Sequence, residues 1–162
     1  MEVCLRKVGL EDAQIIHEMQ VKAFESLLEK YEDYETNPGN ESLEKVISRI
    51  KQEKSDYYII NMDKANVGAI RVVKVENRIY RVSPIFVLPE YQGRGIAQKV
   101  FELIEAIYSD AIEWILDTIL QEKGNCYLYE KLGYRKTGEI EVINDKLTIV
   151  FYSKKCLAPE YK

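Results

Sequence analysis

The segment from Val87 to Ala97, V-L-P-E-Y-Q-G-R-G-I-A, has residue types and an order that could do chemistry without help from elsewhere. A β-rich run ends at a proline, the chain passes through two glycines, and a helical pattern begins at Ile96. Gly93 and Gly95 carry no side chain, so backbone N–H groups there can approach an anion closely. The helix that starts at this point would add the positive end of its dipole. A pyrophosphate held mainly by backbone is the ligand such an arrangement suits. Two other phosphate ligands fit less well. Gln98 stands where the dinucleotide fingerprint has its third glycine, and the Gly-Lys-Ser/Thr ending of the nucleoside triphosphate loop is missing. A Gly-x-Gly turn before a helix can also be purely structural.

Other reactive side chains are sparse. His17 is the single histidine. It reads as a partly exposed residue of the first helix and excludes a multi-histidine metal site, so no metal is expected. Cys4, Cys126 and Cys156 are odd in number and lack CxxC spacing, which suits neither a disulfide framework nor zinc and reads as reduced thiols of a cytoplasmic protein. Cys126 has no histidine but His17 to activate it, so it is not expected to act as a nucleophile. The acidic aromatic stretch with Tyr31, Asp33, Tyr34 and Glu35 could attract a cationic amine, although a solvated loop is the simpler reading. Asp33, Glu35 and Glu76 are candidate bases by placement. Each reads better as a solvated surface carboxylate, and no base is assigned.

The elements that must position these groups follow from periodicity. Val3 to Val8 reads as a strand, and from Glu11 the apolar positions Ile16, Met19, Ala23, Phe24, Leu27 and Tyr31 recur at helical spacing. Tyr31 to Asn40 reads as a surface loop and Ser42 to Ile50 as a second helix. Tyr57–Met62, Val67–Val75 and Ile79–Val87 form an antiparallel meander. Pro84 lies in its last strand and cannot donate to a ladder, so pairing there must be interrupted, at an edge or a bulge, leaving backbone free for a ligand. Then come a helix (Ile96–Tyr108), a strand (Ile112–Thr118), a helix (about Glu122–Leu132) and two strands (Tyr134–Glu141 and Lys146–Ser153). This order contains one crossover and predicts an α+β fold.

Gln92, Gly95 and Ala97 match Q/R-x-x-G-x-G/A, and the segment closely resembles the acyl-coenzyme A signature of the GNAT superfamily of N-acetyltransferases. About thirty residues on, L-Y-E-K-L-G-Y at Leu128–Tyr134 resembles that family's second conserved helix and the strand after it. The element order follows the family along nearly the whole chain. The resemblance implies a mixed, mostly antiparallel twisted sheet of about seven strands flanked by about four helices. It further implies one acetyltransferase domain over residues 1–155 with a C-terminal tail over 156–162, and acetyl-coenzyme A as acyl donor.

Residue by residue, the resemblance implies that the backbone of Phe86 and Val87 meets the pantetheine arm, that Gln92, Gly93, Arg94, Gly95, Ile96 and Ala97 hold the pyrophosphate, and that Tyr129 is the general acid. That chemistry is coherent, since a phenol near ~10 can protonate a departing thiolate whose acid lies near ~8.5, and a backbone N–H near Val87 could polarise the carbonyl. Tyr129 could equally be a core aromatic of an amphipathic helix. The family often has asparagine seven residues before this tyrosine, where this chain has Glu122. Asn125, on the same helix face as Tyr129, could take over the contact with the cofactor.

Composition bounds the rest. The chain has 162 residues, 46% hydrophobic and 31% charged, with a formal net charge of -4, as in an ordinary single globular domain. No run of Lys or Arg exceeds two residues, which argues against nucleic acid as partner. The amino terminus lacks the apolar centre of a signal peptide and no stretch is long enough to span a bilayer. The expected activity is acetyl transfer to a primary amine, of a small molecule or a protein, by direct attack on the thioester without an acyl-enzyme. The alternatives are a non-catalytic acyl-coenzyme A binding or sensing module and a dinucleotide-binding protein. The sequence is compatible with a monomer or a homodimer.

Overall fold

The computed structural model describes residues 2–156, and the expected tail lies outside them apart from Cys156. The chain runs β1 (Val3–Lys7), α1 (Ala13–Tyr31), α2 (Leu43–Lys51), β2 (Ser55–Met62), β3 (Ala65–Glu76), β4 (Ile79–Val87), α3 (Ile96–Ile107), β5 (Glu113–Ile119), α4 (Lys123–Lys131), β6 (Arg135–Asn144) and β7 (Leu147–Lys155). One seven-stranded sheet has the order β1-β2-β3-β4-β5-β7-β6. Its neighbours are antiparallel except β4 and β5, because α3 carries the chain over the sheet between them. The expected seven strands and four helices are present.

Strand alternation puts apolar residues on both faces of this sheet. Tyr58, Ile60 and Met62 join Val100, Phe101, Ile104, Trp114, Tyr129 and Tyr152 in a core beneath α3 and α4. Tyr57 and Ile59 join Ile16, Met19, Val46 and Phe86 in a second core beneath α1 and α2. Ser42 caps α2 by accepting the Lys45 N–H at 3.1 Å, a device worth about 1 kcal/mol.

Two local expectations need correction. The stretch after Tyr31 is not a solvated loop throughout: Asp33 and Asn37 are buried anchors. Asp33 accepts the N–H groups of Glu35 and Thr36 at 3.3 and 3.0 Å and the Thr36 hydroxyl, while Asn37 accepts the Gly39 N–H at 2.7 Å. Side chains of α1 fasten the loop further, since Gln20 donates to the Pro38 carbonyl at 2.8 Å and half-buried His17 lies 2.9 Å from the Glu41 carbonyl. Strand β6 also runs to Asn144, three residues past the expected end, because its pairing with β7 continues to Asn144 and Leu147.

Candidate active site

The site begins where two central strands part. β4 and β5 pair only over Ile79–Arg81 and Glu113–Ile115. Beyond Arg81, β4 has no partner on that side. The interruption expected at Pro84 is therefore inside the sheet, a fork on the β5 side and the expected bulge on the β3 side, and not an outer edge. On the β3 side the register skips Arg71, whose buried guanidinium donates to the Ser83 carbonyl at 2.8 Å, the Ser55 hydroxyl at 2.9 Å and Gln52 Oε1 at 2.6 Å. That side chain ties down the irregular stretch and leaves the β5 side open.

A cleft of about 550 Å³ occupies the open side and extends to the start of α3. The Leu88 N–H is bonded to the Val67 carbonyl at 2.8 Å, so by strand alternation the N–H and carbonyl of Val87 point away from β3 and into the cleft. Gln92 fixes that edge by donating its amide to the Val87 carbonyl at 2.9 Å. Gly93 and Gly95 follow with φ of 77° and 78°. A Cβ at either would meet nothing within 4 Å, so glycine is required there by the left-handed backbone and not by crowding. Gly95 begins α3 without a side-chain cap, and the first N–H groups of this 12-residue helix are left to face the cleft. Open space, positive φ and uncapped donors together fit an extended diphosphate-bearing molecule.

Of the residues singled out from sequence, Phe86, Val87, Gln92, Gly93, Gly95, Ile96, Ala97, Asn125 and Tyr129 all line this cleft. Arg94 does not: its guanidinium donates to the Glu90 carbonyl at 3.3 Å and lies 5.4 Å from the Tyr91 ring centre.

A second cavity, of about 290 Å³, adjoins the first. Phe24, Leu27, Ile85, Asn125 and Tyr129 line both, so the two meet between the C-terminal half of α1 and the face of α4. The floor of the second cavity comes from β5, β7 and β6 and is apolar, with Ile119, Ile149, Phe151 and Ile143. Its charged residues are Asp33, Glu41, Asp117 and Glu141 against Arg49 and Arg81. Glu41 is held by Arg49 at 2.6 and 3.0 Å, and Asp117 by Arg81 at 2.5 Å. None of Glu41, Arg49, Arg81, Asp117 or Glu141 is marked by a sequence motif. Glu35 and Glu76 lie outside both cavities.

Tyr129 packs its ring among Phe101, Tyr134 and Tyr152 at centroid distances of 5.7, 6.1 and 6.1 Å. Among the described residues nothing hydrogen-bonds its hydroxyl, and the Tyr134 hydroxyl, not that of Tyr129, is sealed from solvent. Burial, and then the Asp117 carboxylate and the Cys126 thiol, push the Tyr129 phenol well above the usual tyrosine range. The proton therefore stays on this oxygen at neutral pH, with the hydroxyl facing the junction of the cavities.

Glu122, in place of the family's asparagine, lines the cofactor side of the junction. Its carboxylate accepts the Tyr31 hydroxyl at 2.5 Å and the Lys30 ammonium at 3.0 Å. Burial works against its charge, but Tyr31 and Lys30 outweigh burial and hold the carboxyl below its ordinary range. These bonds latch the end of α1 to the start of α4, and Asn144 adds a third tie by donating to the Tyr31 carbonyl at 2.9 Å. Among the described residues no group of three or more His, Cys, Asp or Glu side chains could hold a metal ion, and no helix is long and apolar enough to cross a membrane.

The same architecture occurs in solved structures. The PaiA N-acetyltransferase of Thermoplasma acidophilum in complex with coenzyme A superposes with a TM-score of 0.76 over 96% of this chain and 100% of that one, at 18% identity. The spermidine N-acetyltransferase of Vibrio cholerae in complex with coenzyme A and spermine gives 0.74 over 94% and 95%, at 17% identity. An acetyltransferase of Salmonella typhimurium that modifies the N-terminal serine of ribosomal protein L7/L12 gives 0.74 over 95% of each chain, at 14% identity. No curated protein sequence matches the chain. Residues 17–156 match the acetyltransferase (GNAT) domain, and the chain belongs to the GNAT acetyltransferase family.

Proposed function

We propose that this acetyltransferase takes its acetyl group from acetyl-coenzyme A in the cleft along β4 and passes it to a primary amine seated in the adjoining cavity, with Tyr129 as general acid. The observation that carries this is the shared wall: Tyr129 and Asn125 line both cavities, so one phenol can reach a donor on one side and an acceptor on the other. Acetyl-coenzyme A supplies the activated thioester. The chain's own groups bind and orient it: the Gly93–Ala97 backbone takes the diphosphate, the inward-pointing N–H of Val87 meets the acyl carbonyl, and Asn125 and Glu122 border the arm. Phe24 and Leu27 exclude water at the junction. A thiolate forming in so dry a place is more basic than in water, which suits a phenol that releases its proton only as the C–S bond breaks.

The acceptor cavity carries four carboxylates and two guanidiniums, an excess that favours a cationic amine. The Vibrio cholerae relative acts on spermidine, and linear amines are accordingly the first acceptors to assay. Melting temperature with acetyl-coenzyme A, coenzyme A and NADH tests the donor site, since a ligand selective for the native state raises it by mass action. Stabilisation by both coenzyme A species and not by NADH, followed by amine-dependent thiol release, is the expected outcome. Absence of both would overturn the proposal, and stabilisation without thiol release for any amine would point to the non-catalytic module.

A further inference from the structure

We infer that Asp117 is the general base of the reaction proposed above, receiving the proton that the acceptor nitrogen sheds, with Arg81 orienting its carboxylate. The inference rests on that proposed function and adds the residue that sequence reasoning left unassigned.

The site has four candidate carboxylates, and geometry removes three. Asp33 is buried and committed to the backbone and hydroxyl of its own loop. Glu41 is gripped by Arg49 through both oxygens and by Gln20 at 2.9 Å. Glu141 is exposed on β6, and β7 separates it from β5, about 10 Å across the sheet. Asp117 sits on β5 two residues past the last pair with β4, at the mouth of the fork. Its Oδ2 meets Arg81 at 2.5 Å, and among the described residues its Oδ1 has no hydrogen-bond partner.

Acid and base adjoin at this point. Asp117 and Tyr129 both line the second cavity, and the Asp117 charge raises the Tyr129 phenol, so the two groups face the same space. The charged and titratable groups that line this cavity with Asp117 are Arg81 from β4, Tyr129 from α4, Arg49 from α2, Asp33 and Glu41 from the stretch between α1 and α2, and Glu141 from β6. In the transfer, an acceptor ammonium first loses a proton through Asp117 to solvent. As the N–C bond forms and the C–S bond breaks, Asp117 takes the second nitrogen proton and Tyr129 gives its own to sulfur. The products are an amide and a free thiol, and the proton held by Asp117 restores Tyr129.

A plain structural role is the rival: Arg81 and Asp117 could simply tie the two strands at the fork. Thiol release by wild type, D117N, D117E and R81Q, followed against pH at saturating substrates with melting temperatures as the fold check, separates the two. A base predicts that D117N loses about a hundredfold in kcat and the acidic limb of the profile, and that D117E recovers part of both. It also predicts that R81Q, which breaks the same tie but leaves the carboxylate in place, keeps the limb and most of kcat. D117N and R81Q falling together with the limb kept in both, or D117N within fivefold of wild type, would overturn it while leaving the acetyltransferase function standing. If D117N does not fold, R81Q decides alone: turnover near wild type supports the base, and a loss of about a hundredfold supports the structural tie. Wild type inert toward every amine would overturn both.

Discussion

The two halves of the site are built from different materials. The donor cleft is made of backbone: the free edge of β4, two glycines at φ of 77° and 78°, and the uncapped start of α3. The cavity proposed for the acceptor is made of side chains brought by both helices of one face, the loop after α1, four strands and α4. A backbone-built site needs only the right turn and tolerates changes in side chains around it. A side-chain-built site can change its ligand by single substitutions without disturbing the fold. On the proposed reading, donor chemistry and acceptor choice are carried by separable parts, which meet at Tyr129.

The largest effect should come from the residue that both halves share. Tyr129→Phe is expected to lower kcat by about a hundredfold or more while stabilisation by acetyl-coenzyme A persists. Equal loss of binding and turnover would mean that the ring supports the cleft and the hydroxyl does no chemistry.

Next comes the backbone half. Gly95→Val forces a β-branched side chain into the left-handed region at a cost of about 1–3 kcal/mol. The KM for acetyl-coenzyme A should rise about tenfold or more with the amine KM little changed. A change confined to the amine would break the division between the halves. Arg94→Ala, by contrast, should alter the acetyl-coenzyme A KM by less than about threefold, because its guanidinium rests on Tyr91.

The latch between α1 and α4 predicts an intermediate signature. Tyr31→Phe removes the 2.5 Å bond to Glu122, and the loss of a hydrogen bond to a charged group, about 1.5–3 kcal/mol, should loosen the wall that both cavities share. Both KM values should then rise together by a few-fold, whereas a change in one alone would assign the latch to that cavity.

This contrast also explains what could be read from sequence. Proline and glycine impose backbone geometry wherever they stand, so Pro84, Gly93 and Gly95 announced the fork and the turn, and periodicity announced the sheet around them. Arg81 and Asp117 meet across the fork although 36 residues apart, and no spacing marks such a pair. Asp33 looked solvated because a carboxylate in a polar stretch usually is. Its burial comes from hydrogen bonds within its own turn and from the packing of α1, which composition does not reveal. Arg94 sits inside the motif, but its side chain found a nearer partner in Tyr91.

The smallest effect is a control away from the site. Tyr80 donates its hydroxyl to Asp110 at 3.0 and 3.1 Å, and burial, then Asp110, push its phenol up to about 12. Above its ordinary value near ~10, the unfolded chain loses this proton before the folded chain does, so stability is full below about pH 10 and declines as pH rises toward 12. Melting temperature against pH should fall over that window in wild type and less steeply in Tyr80→Phe.

The most direct test is a crystal structure of the protein with coenzyme A. The diphosphate should lie on the backbone of Gly93–Ala97 and the sulfur within about 4 Å of the Tyr129 hydroxyl, at the mouth of the second cavity. A sulfur pointing away from Tyr129, or a diphosphate held elsewhere, would contradict a site in which donor and acceptor meet at that phenol.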